Sequence, residues 1–114
     1  MKLPGLDQIV VPREKIVDYL LSPTHVVGRH KAKWLSKFGF SASSWQALAE
    51  ALKKHANANE LARVEESPFG KRYIIEGELD TPMGPCHIRS VWFIETIEQE
   101  PRFVTAYPLR RKRK

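Results

Sequence analysis

The hydrophobic pattern of this chain changes near residue 60, and that change limits the folds that it can adopt. Before residue 60, apolar side chains recur every three or four residues, the spacing of one face of an α-helix. After it, apolar and β-branched residues gather in short runs separated by turn-forming residues, as in strands. Helices followed by strands predict an α+β domain, with about three N-terminal helices packed on one face of a sheet.

Two helices are predicted before residue 40. The first begins at Pro12, because proline suits the first turn of a helix, and ends near Leu21, because Pro23 disfavours helical backbone just before it. The second runs over about residues 29–37. Gly39 is its predicted C-terminal cap, since glycine tolerates the left-handed backbone that ends many helices.

A third helix is predicted to begin after Ser41 or Ser43. Ser43, with Gln46 three residues later, has the pattern of a capping box, and Ser41 is an equally suitable cap. Asn57 and Asn59 mark the predicted end of this helix.

Four β-rich runs follow, and the short connections between them predict a meander of antiparallel strands. The runs are Leu61–Glu65, Arg72–Leu79, His87–Glu95 and Phe103–Tyr107. A chain of 114 residues has the length of one domain. We expect that domain over residues 1–109, followed by a basic tail, RRKRK, at residues 110–114.

The chain is basic, with 19 Lys and Arg against 13 Asp and Glu and a net charge of +6. This balance favours a polyanionic partner: a nucleic acid, an acidic protein or an anionic lipid surface. No apolar run approaches the roughly 18 residues that span a bilayer, and the N-terminus lacks the apolar core of a signal peptide. The single Cys86 excludes an internal disulfide. We therefore expect a cytoplasmic protein with no membrane partner, and a secreted effector is the alternative.

Lys31 is unusual in the second helix because it falls within the apolar stripe. That stripe consists of Val27, Trp34, Leu35 and Phe38. His30 borders the stripe, and the opposite, solvated face carries Arg29, Lys33 and Lys37. Lys31 has three possible environments: its ammonium reaches water, it pairs with a buried acid such as Glu95, or it points into a cleft and meets an anion.

The third and fourth predicted strands carry polar residues in apolar surroundings. Arg89 interrupts HIRSVWFIE, while Thr105 and Tyr107 share one face of RFVTAYP. If these strands are neighbours, Arg89 lies beside Thr105 or Tyr107 on the open face of the sheet. A guanidinium with two hydroxyls suits a phosphate. The alternative is that Thr105 and Tyr107 are ordinary strand residues.

The histidines have no recognisable metal-binding spacing. His25, His55 and His87 match neither HxxxH nor HExxH, so we expect no metal and no cofactor. His55 fits the C-terminal end of the third helix, where the helix dipole favours an imidazole. His25 precedes the basic helix and can reach the same cleft as Lys31. The absence of a Gly-rich phosphate loop and of GxSxG argues against nucleoside-triphosphate chemistry and a hydrolase triad.

Three segments resemble a family of small uncharacterised bacterial domains. They are HVVGRHKAKWLSKFGFS (residues 25–41), SVWFIET and RFVTAYPL, and the opening MKLP is similar to the start of the family's members. The resemblance covers about residues 2–109 and implies no activity by itself. More distantly, helices followed by a four-stranded antiparallel sheet with a final TxYP strand resemble the barnase–EndoU–colicin–RelE group of ribonuclease toxins. Some of those toxins belong to toxin–antitoxin pairs or to contact-dependent inhibition effectors.

The distant resemblance implies a toxin-like endoribonuclease that needs no metal. The 2′-hydroxyl of RNA attacks the adjacent phosphate, which requires a base, an acid and cations around the phosphorane. The implied catalytic residues are His30 (or His25) for proton transfer, Lys31 and Arg89 for charge stabilisation, and Thr105 and Tyr107 for orienting the phosphate. His25, Arg29 and Lys33 are the expected substrate-binding residues. RNA and an acidic antitoxin are the implied partners.

Two other functions stay open. The chain suits a non-catalytic nucleic-acid-binding module, in which Tyr107 or a tryptophan stacks on bases. The tryptophans at 34, 45 and 92, however, fit core positions by periodicity. The chain also suits a protein-interaction domain whose basic face holds an acidic partner.

Overall fold

A computed structural model describes residues 2–16, 28–41, 44–97 and 100–109, without the side chains of Asp7 and of residues 28–32. Its helices are a 3₁₀ turn at Leu6–Gln8, α1 at Arg13–Lys15, α2 at Gly28–Lys37 and α3 at Trp45–Ala58. Its strands are β1 at Leu61–Ser67, β2 at Gly70–Leu79, β3 at Cys86–Glu95 and β4 at Arg102–Pro108. The α+β class is confirmed. Within the described ranges, no helix is long and apolar enough to cross a membrane.

The four strands form one antiparallel sheet in the order β1-β2-β3-β4, so the predicted meander is confirmed. Each strand is slightly longer than its predicted run. The β1–β2 turn is tight because the Ser67 hydroxyl accepts a hydrogen bond from the Phe69 amide, at 3.3 Å, and donates one to the Gly70 carbonyl. The β3–β4 register shifts between Val91 and Trp92, and the β1–β2 register shifts between Leu61 and Arg63.

The two faces of the sheet have different chemistry because side chains alternate along each strand. One face belongs to the hydrophobic core; its members include Tyr73, Ile75, Leu79, Ile88, Trp92, Phe103 and Ala106. We call the opposite face the outer face. It carries Arg72, Ile74, Glu76, Glu78, His87, Arg89, Val91, Phe93, Thr105 and Tyr107.

The third helix, α3, packs against β2 and contributes Leu48, Leu52 and Ala56 to the core. It begins at Trp45 with Ser44 at the N-cap, one residue beyond the later predicted cap, and Ser44 makes no side-chain cap bond. The hydroxyls of Ser41 and Ser44 lie 2.9 Å apart. Ser43 lies outside the described residues.

The end of α3 is as predicted. Asn59 is the C-cap, and its side-chain amide donates to the His55 carbonyl at 2.8 Å. The backbone amide of Asn59 donates to the same carbonyl at 3.2 Å, so both bonds hold the C-cap residue against the last turn of the helix.

The end of α2 confirms Gly39 as a cap. Gly39 has φ of 94°, its amide donates to the Ser36 carbonyl at 3.1 Å, and the Phe40 amide donates to the Leu35 carbonyl at 3.3 Å. This pair of bonds is a Schellman motif. Leu35 and Phe40 are both buried in the core, which fixes where the chain leaves the helix.

The first predicted helix is described only in part. It begins at Arg13, after Pro12 at the N-cap, and Ile16 is fully buried. The rest of its predicted length, residues 17–21, lies outside the described residues. Just before α1, Val10 forms a parallel bridge with Arg102, which places the N-terminal segment along β4.

Candidate functional site

Arg89 lies at the centre of a polar row that crosses the outer face of the sheet. In the strand register, Glu76 of β2 is opposite Arg89 of β3, and Arg89 is opposite Tyr107 of β4. Arg89 Nε and Nη2 lie 2.7 Å and 2.5 Å from the same oxygen, Glu76 Oε2. Arg89 Nη1 lies 3.5 Å from the Tyr107 hydroxyl, and its Cζ lies 5.7 Å from the Tyr107 ring centroid.

This arrangement keeps a fixed positive charge at a surface that solutes can reach. The hydrogen bond to Tyr107, together with that to Glu76, raises the pKa of Arg89 above its ordinary value. The Arg89 side chain is 35% exposed and that of Glu76 is 37% exposed. An arginine in this position can bind an anion such as a phosphate through the edge that Glu76 does not occupy.

Thr105 shares the outer face but not the Arg89 row. It lies opposite Val91, one outward-facing position before Tyr107 on β4, and Thr105 and Tyr107 are both half-buried. Of the two residues predicted to lie beside Arg89, Tyr107 is the one directly opposite it.

Two outward-facing neighbours of Arg89, Glu76 and His87, were not predicted from the sequence as site residues. His87 precedes Arg89 by two positions on β3, so the two side chains share the outer face, and Glu78 of β2 lies opposite His87. The sequence carried a signal: charged residues at two-residue spacing in both β2 and β3. Only the register shows that these pairs face each other.

A groove extends the outer face toward the β1–β2 turn. Its volume is about 640 Å³, and its charged and outward aromatic lining consists of Lys15, Arg72, Arg102, Glu65, Glu66 and Phe93. The groove therefore combines cationic side chains with an aromatic ring, next to the row that contains Arg89.

The candidates from the basic helix are described only in part. Lys33 is exposed on α2. The backbone of Arg29, His30 and Lys31 lies in α2, but their side chains lie outside the described set, as does the whole of His25. Their roles stay predictions.

Three members of the apolar stripe of α2 and the acid suggested as a partner for Lys31 are described. Leu35 is buried, while Trp34 and Phe38 are partly buried against the core in an edge-to-face pair with centroids 6.1 Å apart. These three members of the stripe thus face the core as predicted, and Val27 lies outside the described residues. Glu95 is exposed, so the suggestion that it is a buried partner for Lys31 is wrong.

His55 was predicted to lie at the C-terminal end of α3, where the helix dipole favours an imidazole. Its position is as predicted, but its environment shows that the side chain belongs to the core. It lies in the last turn of α3, but it is only 2% exposed. Its Nε2 lies 2.8 Å from the hydroxyl of Ser90, and Ser90 also accepts a bond from Trp92 Nε1 at 2.9 Å. Burial lowers the pKa of His55, and the backbone hydrogen bond to Glu78 offsets this in part.

The partners of His55 determine its tautomer. Nδ1 lies 3.0 Å from the Glu78 carbonyl, which only accepts, so Nδ1 carries the proton. Nε2 of the neutral ring then accepts from the Ser90 hydroxyl, which itself accepts from the indole. Every polar group of this chain of bonds is satisfied with an uncharged imidazole. Because Ser90 is fully buried, this serine–histidine pair stabilises the core and does not meet a substrate.

Among the residues described here, no group of three His, Cys, Asp or Glu side chains is placed to hold a metal ion. Cys86 is a free thiol, and burial raises its pKa. In the described part of the chain, neither a metal site nor the Cys86 thiol is therefore part of the candidate site around Arg89.

The chain is similar in fold to a known structure and matches a known family of domains. A chain from the contact-dependent growth inhibition toxin–immunity protein complex of Klebsiella pneumoniae 342 superposes with a TM-score of 0.68. The superposition covers 88% of this chain and 99% of that one, at 19% sequence identity, so the likeness is one of fold. No curated protein sequence matches the chain. A family described as a domain of unknown function, DUF6883, matches residues 2–110, and the chain therefore belongs to that family.

Proposed function

We propose that this protein is a toxin-like ribonuclease that cleaves RNA without a metal, by attack of the 2′-hydroxyl on the adjacent phosphate. The observation that carries the proposal is the position of Arg89 between Glu76 and Tyr107 on the outer face. We further propose that it acts in the cytoplasm of the cell whose RNA it cleaves.

The chemistry of the reaction matches the groups in this row. Negative charge builds on the phosphate oxygens as the 2′-oxygen attacks, and a fixed guanidinium stabilises that charge. A phosphate that approaches Arg89 from the outer face meets Nη1 and the Tyr107 hydroxyl together, because these lie 3.5 Å apart. Thr105, one outward position away on the same strand, would hold an adjacent part of the RNA backbone.

The neighbouring groove supports RNA as the substrate. Its three cationic residues outnumber the two acidic ones and suit the phosphates on either side of the cleaved bond, and Phe93 offers a surface on which a base can stack. The net charge of +6 acts in the same direction, since a basic protein attracts a polyanion over a long range.

The basic helix would supply further groups. In this proposal Lys31 stabilises the phosphorane, His30 or His25 is a candidate for proton transfer, and Arg29 and Lys33 bind the RNA backbone. The end of α2 lies against the β2–β3 connection, because a Cβ atom at Gly39 would come within 2.8 Å of Pro82 Cβ. The helix thus ends close to the end of the sheet that carries His87.

An acidic protein is the proposed partner. The structural neighbour comes from a toxin–immunity protein complex, and a basic nuclease surface is most readily blocked by a protein of opposite charge. We propose that such an inhibitor, the antitoxin of a toxin–antitoxin pair, covers the outer face and competes with RNA.

Expression in a bacterial host tests the toxin assignment. We expect induction of the parent chain to stop growth, and the Arg89→Gln variant at equal protein level to permit growth. Lys53→Gln is the control, because Lys53 pairs with Glu50 on α3, the helix that packs against the core face of the sheet. Normal growth with the parent protein present at full level would contradict the proposal.

The second candidate function is non-catalytic binding of nucleic acid. The aromatic and cationic groove is the observation that favours it. In that case the protein binds RNA that stays intact. In both cases, removal of the tail at residues 110–114 should flatten the salt dependence of RNA affinity if the tail contacts phosphates, because fewer counterions are then released.

A further inference from the structure

We infer that Glu76 is the general base and His87 the general acid of the site around Arg89. This inference rests on the proposed RNA cleavage, and it assigns to Glu76 and His87 the proton transfers for which His30 or His25 was the candidate. Cleavage by a 2′-hydroxyl requires one group that takes a proton and a second group that gives one to the leaving oxygen.

The register places both residues next to Arg89, which holds the phosphate in the proposed reaction. Glu76 is directly opposite Arg89, and His87 is two positions before Arg89 on the same strand. Glu76 and His87 are thus diagonal neighbours, whose positions in an antiparallel pair are about 7–8 Å apart. Both side chains are therefore neighbours of the guanidinium to which the phosphate would bind.

The contacts of Glu76 leave it able to accept a proton. Both of its bonds with Arg89 involve Oε2. Within the described part of the chain, Oε1 has no hydrogen-bond or ion-pair partner, so one carboxylate oxygen remains available to a 2′-hydroxyl. Arg89 also fixes the orientation of the carboxylate, as a catalytic base requires.

Among the described histidines, His87 has the accessible position. His55 is closed within the core, and its two ring nitrogens are occupied by the Glu78 carbonyl and Ser90. His87 is half-buried on the outer face, where Glu78 and Arg89 are its charged neighbours. Imidazole is the side chain that most often both gives and takes protons near neutral pH.

In the proposed cleavage, one proton passes to Glu76 and another leaves His87. Glu76 Oε1 takes the proton of the 2′-hydroxyl as the 2′-oxygen forms its bond to phosphorus. The bond from phosphorus to the 5′-oxygen breaks, and His87, in its protonated form, gives that oxygen a proton. The products are a 2′,3′-cyclic phosphate and a 5′-hydroxyl end. Glu76 is left protonated and His87 neutral, and exchange with water restores both.

The test uses two short RNA substrates in buffer with EDTA. One has the natural 5′-oxygen at the cleaved bond, and the other has a 5′-sulfur there. A thiolate leaves without being protonated, since thiols ionise near pH 8.5, so the sulfur substrate needs no general acid. We expect Glu76→Gln and His87→Gln each to slow cleavage of the natural substrate by about 10²–10⁴-fold. On the sulfur substrate, His87→Gln should recover to near the parent rate and Glu76→Gln should stay slow.

Glu50→Gln is the control, because Glu50 is exposed on α3 and pairs with Lys53 away from the outer face. Rescue of the same His87→Gln preparation by the sulfur substrate also shows that the variant is folded. The inference fails, and RNA cleavage stands, if the parent cleaves RNA and both variants retain its rate within about threefold. It also fails if His87→Gln is not rescued. A parent protein that cleaves neither substrate nor total RNA overturns the proposed function itself.

Discussion

The Nε2 atom of His55 lies 2.8 Å from the hydroxyl of Ser90, and this bond joins the last turn of α3 to the middle of β3 inside the core. Both residues are almost completely buried, so neither can exchange its partner for water. We predict that His55→Ala lowers the free energy of unfolding by about 2–4 kcal/mol, because it leaves a cavity and unsatisfied polar groups. Urea unfolding followed by tryptophan fluorescence measures this change. His87→Ala, on the outer face, should cost less than about 0.5 kcal/mol; equal losses in the two variants would refute the role of the buried network.

The same histidine should make stability depend on pH. Burial lowers the pKa of folded His55 below the ordinary value of 6.5, so the unfolded chain binds its proton more readily than the folded chain. The stabilising effect is therefore fully present above pH 6.5 and is lost as the pH falls from 6.5 toward the folded pKa. We expect the urea midpoint of the parent to fall between pH 7.5 and 5.5, and to fall less in His55→Gln. The difference between the two proteins isolates His55 from the other histidines, and parallel pH profiles would contradict the prediction.

Gly39 tests how α2 meets the β2–β3 connection. Gly39 and Gly84 have similar backbone, with φ of 94° and 108°, so alanine is strained at both. A Cβ atom at Gly39 would also lie 2.8 Å from Pro82 Cβ, whereas a Cβ atom at Gly84 meets nothing within 4 Å. We predict that Gly39→Ala destabilises the protein by about 1–3 kcal/mol more than Gly84→Ala does. Equal thermal unfolding midpoints would show that α2 does not rest against Pro82.

Arg89 should be needed for activity rather than for folding. Arg89→Lys keeps the positive charge but loses the planar group that contacts Glu76 and Tyr107 together. We predict that this variant cleaves RNA at least about 10²-fold more slowly, the size of effect found when one charge-stabilising donor is removed. Its urea midpoint should stay close to that of the parent, because the side chain is partly exposed. A large fall in stability with a proportionate loss of activity would assign Arg89 to the fold instead.

Periodicity alone predicted most of the fold. The α+β class, the order of the strands and the Gly39 cap follow from local patterns: alternation in strands, short turns, and a glycine after an apolar stripe. The start of α3 was placed one residue early, because several adjacent serines are equally good caps by composition.

The candidate site was harder to predict because it depends on register. The sequence places Arg89 and Tyr107 on strands, but only the pairing of β3 with β4 puts them opposite each other. Glu76 and His87 are ordinary residues for exposed strand positions until β2 is aligned with β3.

The buried network could have been predicted. His55 lies seven residues after Leu48 and three after Leu52, which places it on the apolar stripe of α3. Ser90 lies two residues from Ile88 and from Trp92, so it shares their face of the strand. A histidine and a serine at two core-facing positions have to find partners in the core, and here they find each other.

The central claim is that Arg89 serves a metal-independent ribonuclease, and cleavage of total bacterial RNA in EDTA tests it most directly. Purified parent protein, Arg89→Gln and the Lys53→Gln control would be incubated with the RNA, and the fragments sized and their 3′ ends identified. We predict discrete fragments with 2′,3′-cyclic phosphate ends from the parent and the control, and intact RNA from Arg89→Gln. Intact RNA from the parent, or fragments that Arg89→Gln produces equally well, would contradict the claim.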